Sequence, residues 1–186
     1  FVPICYETPK PLLKVKGEVL IERQIKQLKE IGICQIVVVV GYLKEKFQYL
    51  EEKYGVILVE TQKYNIRNNH DSVFAAREYL GNTIVTSADL YFNENIFEKY
   101  AYDAYYCCVY KDGGTEERGI KTDIYDKIID TFYSASDVWV TLGYAYFNQR
   151  FSDNYCAILE KEYDKPETLG KFWADIQDEH LDELFM

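Results

Sequence analysis

The sequence predicts an α/β fold, a mixed sheet flanked by helices and carrying an antiparallel extension. Three observations predict it. Helical and strand patterns alternate through the first half of the chain. Short β-branched runs, notably Gln35 to Val40 and Thr83 to Thr86, read as buried strands. From Ala104 onward, strand-like segments follow one another with turn residues between them. At 186 residues and 48% hydrophobic content, the chain reads as a single domain spanning residues 1–186, large enough to bury a core.

The first segment, Phe1 to Leu13 (FVPICYETPKPLL), holds three prolines and shows neither helical nor strand period. Pro9 and Pro11 flank Lys10, and Pro11 restricts Lys10 to an extended conformation. Such a lysine is either held on a stiff loop for chemistry or simply exposed in a proline-rich connector. Lys14 to Gly17 is a short strand or turn. Glu18 to Ile31 sets Ile21, Ile25 and Leu28 on one face of an amphipathic helix, with Gly32 as its C-terminal stop. The strand Gln35 to Val40 ends in Gly41-Tyr42. A helix from Leu43 to Tyr54, stopped by Gly55, leads to a strand from Val56 to Glu60. Strand, helix and strand joined by short links imply right-handed parallel crossovers.

Thr61 to His70 is polar and aperiodic, and follows the C-terminal end of a strand, on the same predicted rim as Tyr42. A short helix then runs from His70 or Asp71 to Leu80. Asn68, Asn69 and Ser72 lie at its N-terminus, where backbone N–H groups favour an anion. The strand Thr83 to Thr86 breaks off in Ser87-Ala88-Asp89. In open α/β sheets ligands bind outside the carboxyl ends of the strands. Asp89 therefore either holds a metal or polar ligand, or caps a turn or helix. A helix is expected over Asn93 to Tyr100.

Strands follow at Tyr105 to Tyr110, Gly119 to Tyr125, Lys127 to Phe132 and Val138 to Phe147. Turns at Gly113-Gly114 and Ser134-Ala135-Ser136 join them. Cys107 and Cys108 should point to opposite faces and pack. Helices over Phe151 to Tyr163 and Leu169 to Leu184 close the chain.

Charge narrows the partners. With 31 acidic against 21 basic residues, a net charge of −10 and no basic run longer than two, the chain lacks the clustered cations that nucleic-acid binding requires. An anionic small molecule fits if a few cations or a metal are focused in a cleft. Cys5, Cys34, Cys107, Cys108 and Cys156 form no CxxC pair, and five is odd, so free thiols in a reducing cytoplasm are expected. The longest apolar run, Ile36 to Val40, is too short for membrane insertion. No oligomeric state is implied. His70 and His180 fall in no triad or zinc pattern.

Together these motifs resemble a known family. TPKPLLKVKGEVLIERQIKQLKEIGI followed by VVVVGYLKE, then GYLKEKFQYLEEKYGV, Asn68-Asn69-x-x-Ser72, SAD-x-Tyr91 and the terminal FWAD-x-Q-x-EHLDEL are similar to the sugar-phosphate nucleotidyltransferase superfamily. Within it they resemble the bacterial CTP:phosphocholine cytidylyltransferases, over essentially the whole chain.

The resemblance implies a Rossmann-like, GT-A-like sheet. It also implies a reaction in which a phosphate oxygen of the acceptor attacks the α-phosphorus of CTP and pyrophosphate leaves. Such a reaction asks mainly for positioning and charge neutralisation. By resemblance, Lys10 contacts phosphate and stabilises charge in the transition state. Asp89 binds Mg2+ and is catalytic with Lys10, and Asp175 is the second Mg2+ carboxylate, with Asp178 as the alternative. Tyr42, Asn68, Asn69 and Ser72 match nucleotide-pocket positions. A choline trimethylammonium needs aromatic faces. Trp173, Trp139 and Tyr144 are the candidates, with core packing the competing reading for the last two.

Three departures stand out. The family's first strand and its glycine-rich A-A-G-x-G-[ST]-R loop are not found before Phe1. The expectation is therefore a chain truncated relative to the family, with little or no transferase activity as the 186-residue polypeptide. Arg118 stands where phosphocholine enzymes carry a tryptophan, which suggests a different acceptor, one bearing a carboxylate or an extra phosphate, and makes Arg118 an acceptor-binding candidate. Asp89 also stands alone where the family often has D-x-D, since the first position here is Ser87. The alternatives are a sugar-1-phosphate nucleotidyltransferase and a non-catalytic nucleotide-binding or regulatory domain of the same fold.

Overall fold

The computed structural model describes residues 4–184 and 186. It packs as two compact units, Phe1–Tyr64 with Ser87–Ala101, and Asn65–Thr86 with Tyr102–Met186.

In the first unit, a helical turn α1 (Ile4–Glu7) precedes a 3-10 turn over Lys10–Leu12. Strands β1 (Lys14–Val15) and β2 (Glu18–Val19) form a hairpin. Lys16 and Gly17 make its two-residue turn with φ of 51° and 87°, the left-handed pair that such tight hairpins need. Helix α2 (Leu20–Glu30) buries Ile21, Ile25 and Leu28, as the apolar spacing predicts. It stops at Gly32, whose φ is 90°, while Ile33 N–H reaches back to Leu28 O at 3.1 Å.

Strand β3 (Val37–Val40) pairs in parallel with β4 (Ile57–Glu60), from Val37 opposite Ile57 to Val40 opposite Glu60. The expected helix between them is split into a 3-10 turn, Lys44–Phe47, and α3 (Tyr49–Tyr54). Gly41 lets the Tyr64 ring lie close where β3 ends, because a Cβ there would come within 2.8 Å of that ring and force it to shift.

Ser87–Ala101 contains no helix, which corrects the expectation over Asn93 to Tyr100. The carbonyls such a helix would use are already taken. Arg23 donates to Phe92 O and Asn93 O, and Gln27 donates to Glu94 O. Asn95 Oδ1 also accepts from Phe97 N–H, a local turn that competes with helix formation.

The second unit opens with α4 (His70–Ala75) and a 3-10 turn, Arg77–Tyr79. Its sheet comprises β5 (Thr83–Thr86), β6 (Tyr105–Thr115), β7 (Gly119–Thr122), β8 (Ile128–Phe132) and β9 (Ala135–Phe147). The long β9 pairs antiparallel with β5, β6 and β7, and β8 lies beyond β7. Strand β5 is outermost in the described sheet, so its residues are half-buried rather than fully buried.

Gly113-Gly114 is not a turn. It lies inside β6, where the register shifts between Lys111 and Gly114, and Gly113 takes a φ of 76°. A second shift between Tyr106 and Cys108 breaks strict alternation at the Cys107-Cys108 pair. Cys34, Cys107, Cys108 and Cys156 are free thiols, while the Cys5 side chain lies outside the described residues.

Helix α5 (Gln149–Glu162) is capped by Asn148, whose Oδ1 accepts from Phe151 N–H at 2.8 Å. The last predicted helix contracts to α6 (Trp173–Asp178). Phe147 from β9, Tyr155 and Leu159 from α5, and Trp173 and Ile176 from α6 share one core cluster. No helix among the described residues is long and apolar enough to cross a membrane.

Candidate active site

Asp89 sits on a tight turn three residues beyond β5. Leu90 N–H donates to Ser87 O at 3.2 Å, closing the turn around Ala88 and Asp89. The Asp89 side chain is exposed, and among the described residues its carboxylate accepts no hydrogen bond and forms no ion pair. It caps no helix, because none begins there.

The turn is held from α2. Gln24, only 3% exposed, donates its amide to Ser87 O and to Leu90 O, each at 2.9 Å. Arg23 donates to Phe92 O at 2.8 Å and to Asn93 O at 2.7 Å, and Glu18 pairs with the same guanidinium. Sequence reasoning did not single out these residues. Their signal is two glutamines spaced i, i+3 beside the apolar stripe of α2, where solvated residues would be expected.

Lys10 is exposed and opens the 3-10 turn, with Leu12 N–H donating to Pro9 O. The predicted extended conformation is corrected accordingly. Pro11 occupies an early position of the turn, where its missing N–H costs nothing and its fixed φ suits the turn. Tyr42 is 48% exposed and donates its hydroxyl to Tyr6 O at 2.9 Å. Lys10, Tyr42 and Asp89 thus all belong to the first unit.

In the second unit, Asn68 and Asn69 are engaged with the segment leading into α6. Asn68 donates from Nδ2 to Gly170 O and accepts at Oδ1 from Asn69 N–H. Asn69 Oδ1 accepts from Trp173 N–H at 2.9 Å, at the start of α6. Ser72 is half-buried in the first turn of α4.

Asp175 uses both oxygens within its own unit. Oδ2 accepts from Phe172 N–H at 2.7 Å, fixing the helix start, and Oδ1 accepts from the Tyr133 hydroxyl at 3.0 Å. Burial, together with that bond to a carboxylate, pushes the Tyr133 hydroxyl up to about 12. Asp178, one turn on, receives a bidentate pair from Arg118. Burial disfavours the Arg118 charge, but the bond to Asp178 and the neighbouring Tyr106 and Tyr133 outweigh it and hold the guanidinium charged.

Arg118 stands over the ring of Tyr106 with its Cζ 4.9 Å from the centroid, and Trp173 stacks on that ring at 5.2 Å. The aromatic candidates divide. Trp173 is a core residue at 9% exposure, and Tyr144, 2% exposed, shares a hydroxyl–hydroxyl bond with Tyr105. Trp139 is half exposed and meets Tyr110 edge-on. No group of three or more metal-ligating side chains is found among the described residues.

Comparison with known proteins gives this arrangement a family. Residues 6–116 match the model of the MobA-like NTP transferase domain. The chain is 34% identical to a choline-phosphate cytidylyltransferase of Streptococcus pneumoniae, covering 98% of this chain and 80% of that protein. It is 35% identical to a 2-aminoethylphosphonate cytidylyltransferase of Lancefieldella rimae, covering 98% and 76% respectively. A solved structure of the CTP:phosphocholine cytidylyltransferase from Streptococcus pneumoniae superposes with a TM-score of 0.95 at 33% identity, over 100% of this chain and 82% of that one. A nucleotidyltransferase fold thus carries Lys10 beside a proline-fixed turn and Asp89 beyond a strand end, and the chain belongs to the MobA-like NTP transferase family.

Proposed function

We propose that the chain transfers CMP from CTP to phosphocholine or a similar phosphorylated small acceptor, releasing pyrophosphate. The observation that carries this reading is Asp89, an exposed carboxylate on a clamped turn, in a chain a third identical to cytidylyltransferases along nearly all its length. A hard oxygen donor with no competing partner among the described residues suits a divalent ion such as Mg2+, which is typically held by one or two carboxylates plus substrate phosphates. When bound, Mg2+ supplies charge neutralisation to phosphoryl oxygens. Asp89 holds its carboxylate ready for that ion. Lys10 presents its ammonium to phosphate oxygens from a turn that two prolines make stiff. Tyr42 presents an exposed ring for the nucleotide. Asp175 is the carboxylate whose part in metal binding needs its own test, because both its oxygens are already engaged.

One observation favours an acceptor other than a quaternary amine. The ring of Tyr106 already carries the Arg118 cation, and Trp173 is stacked into the core, so neither offers an open face to trimethylammonium, and of the aromatic candidates the half-exposed Trp139 is the one left to provide it. The similarity to a 2-aminoethylphosphonate enzyme makes a primary-amine acceptor the second reading. Both readings take residues 1–186 as one nucleotidyltransferase domain in a reducing cytoplasm, which the free thiols support.

Calorimetry with CTP, UTP and ATP, with and without Mg2+, tests the nucleotide reading. CTP should bind best, and the metal-dependent part should vanish in Asp89→Ala and be rechecked in Asp175→Asn. Pyrophosphate release is then followed with phosphocholine and with 2-aminoethylphosphonate. Wherever turnover is measurable, Lys10→Ala should lower it about a hundredfold, the scale of one lost transition-state donor. CTP binding that ignores both Mg2+ and Asp89→Ala would overturn the reading. Binding without any acceptor-dependent release would favour a nucleotide-binding domain.

A further inference from the structure

We propose that Gln24 is a positioning residue for the metal carboxylate, setting the angle at which Asp89 leaves its turn. The proposal rests on reading Asp89 as that carboxylate. The turn Ser87-Ala88-Asp89-Leu90 is closed on one side by Leu90 N–H to Ser87 O. Its mouth is bridged by the two N–H bonds of the single Gln24 amide, one to the carbonyl at each end, both 2.9 Å long. Asp89 lies between those two carbonyls in sequence, so a shift of either rotates its Cα–Cβ bond.

The clamp is buried and specific. Gln24 projects from the middle of α2, between the core residues Ile21 and Ile25 on one side and Leu28 on the other, and is 3% exposed. A hydrocarbon of the same size would fill the space without donating, and a glutamate would turn acceptor oxygens toward two carbonyl oxygens. Water cannot easily replace the amide at so enclosed a position. Beyond the turn, different donors hold the chain. Arg23 takes Phe92 O and Asn93 O, and Gln27 takes Phe92 O at 3.4 Å and Glu94 O at 3.1 Å. Gln24 bonds the two carbonyls that bracket Asp89, whereas Gln27 braces the same segment further on.

That division supplies the control. The 186-residue chain is titrated with Mn2+ in the presence of CTP, whose phosphates complete the ligand set, with protein-bound Mn2+ followed by water-proton relaxation enhancement and each variant melted in parallel. Asp89→Asn should abolish the specific site. Gln24→Met should weaken Mn2+ binding about tenfold or more, the effect typical of removing a partner that orients a metal ligand. Gln27→Met should lower the melting temperature comparably while leaving Mn2+ affinity at the wild-type value. If Asp89→Asn removes the site but Gln24→Met binds as wild type, the positioning role is overturned and the metal reading survives. Equal weakening by Gln27→Met also overturns it, because stability of the segment would then suffice. A site indifferent to Asp89→Asn removes the metal reading and this proposal together. Should Gln24→Met fail to fold, Gln24→Asn keeps the amide but withdraws it by one methylene. Weakened Mn2+ binding there supports the role, and wild-type affinity refutes it.

Discussion

Arg118 shows how one side chain can change what its surroundings are able to recognise. Its guanidinium is 93% enclosed, doubly bonded to Asp178, and set over Tyr106. Removing one member of a buried pair leaves the other charge uncompensated, which typically costs about 3–5 kcal/mol, whereas replacing both by apolar groups is often tolerated. Arg118→Met and Asp178→Leu should therefore each destabilise strongly, and the double variant carrying both should recover much of the loss. Urea unfolding of the four proteins checks this, and additive losses would show that the pair acts as two independent residues. The aromatic side of the same cluster was only partly legible in the sequence. The pattern FWAD identified Trp173 as a residue of interest, yet its stacking on Tyr106 within the core depends on a strand some seventy positions away.

Among the elements, α6 shows what a sequence pattern can and cannot reveal. Apolar residues from Leu169 to Leu184 suggest one long helix, but the chain turns helical only at Trp173 and stops at Asp178. Its start is imposed by two side chains, Asn69 Oδ1 on Trp173 N–H and Asp175 Oδ2 on Phe172 N–H. The first of these comes from more than a hundred residues earlier, which no local period can report. Helix α2 was legible because its apolar period and its Gly32 stop are local, whereas α5 was expected from Phe151 and in fact starts at Gln149, behind the cap of Asn148. Strands β3, β4 and β5 were legible from β-branched runs, whereas the bulges of β6 were not, because Gly113 and Gly114 relieve register instead of turning the chain and the shift at Cys107 carries no local signal. Within the candidate site, Lys10 and Asp89 could be read from the sequence through adjacent prolines and an abrupt strand end. The Gln24 clamp could not, because a buried glutamine on a helix looks like an ordinary polar neighbour until the carbonyls it serves are known. As a test of the cap, Asn69→Ala should cost about 0.5–2 kcal/mol, and Asn69→Asp less, since Asp also accepts at a helix start. Denaturant midpoints should rank wild type above Asn69→Asp above Asn69→Ala, and the reverse order would remove the cap from this account.

At the scale of the molecule, acid should weaken the fold in two stages, one from each unit. His70 in the second unit is fully enclosed, with Nδ1–H donating to Lys171 O and Nε2 facing Arg67. Burial holds its pKa below the usual value, and Arg67 adds to the effect while the bond to Lys171 opposes it. The unfolded chain therefore takes up a proton that the native chain refuses, so this contribution is whole above about pH 6.5 and is lost as pH falls below it. Glu22 in the first unit follows the carboxylate rule. Burial pushes it up, but bonds from Lys53, Tyr54 and Tyr49 outweigh burial and lower it. Its contribution is present above about pH 4.3 and is lost as pH falls through its lowered native value. Relief of repulsion among the excess carboxylates acts in the opposite sense, so variants are needed to isolate each stage. His70→Gln should flatten the stability difference between pH 7.5 and 5.5, and Glu22→Gln the difference between pH 5 and 3. Unfolding midpoints unmoved by either substitution would exclude these groups as the origin.

The bracing of the Asp89 turn by α2 also bears on transplantation. A designer who grafted Ser87 to Leu90 onto another sheet edge would carry over the acid and lose what aims it, because the turn borrows its donors from a helix more than sixty residues upstream. The portable unit is a pair, four residues of turn and one helix with glutamine facing inward, and a recipient scaffold lacking the second would inherit an acid with no fixed bearing.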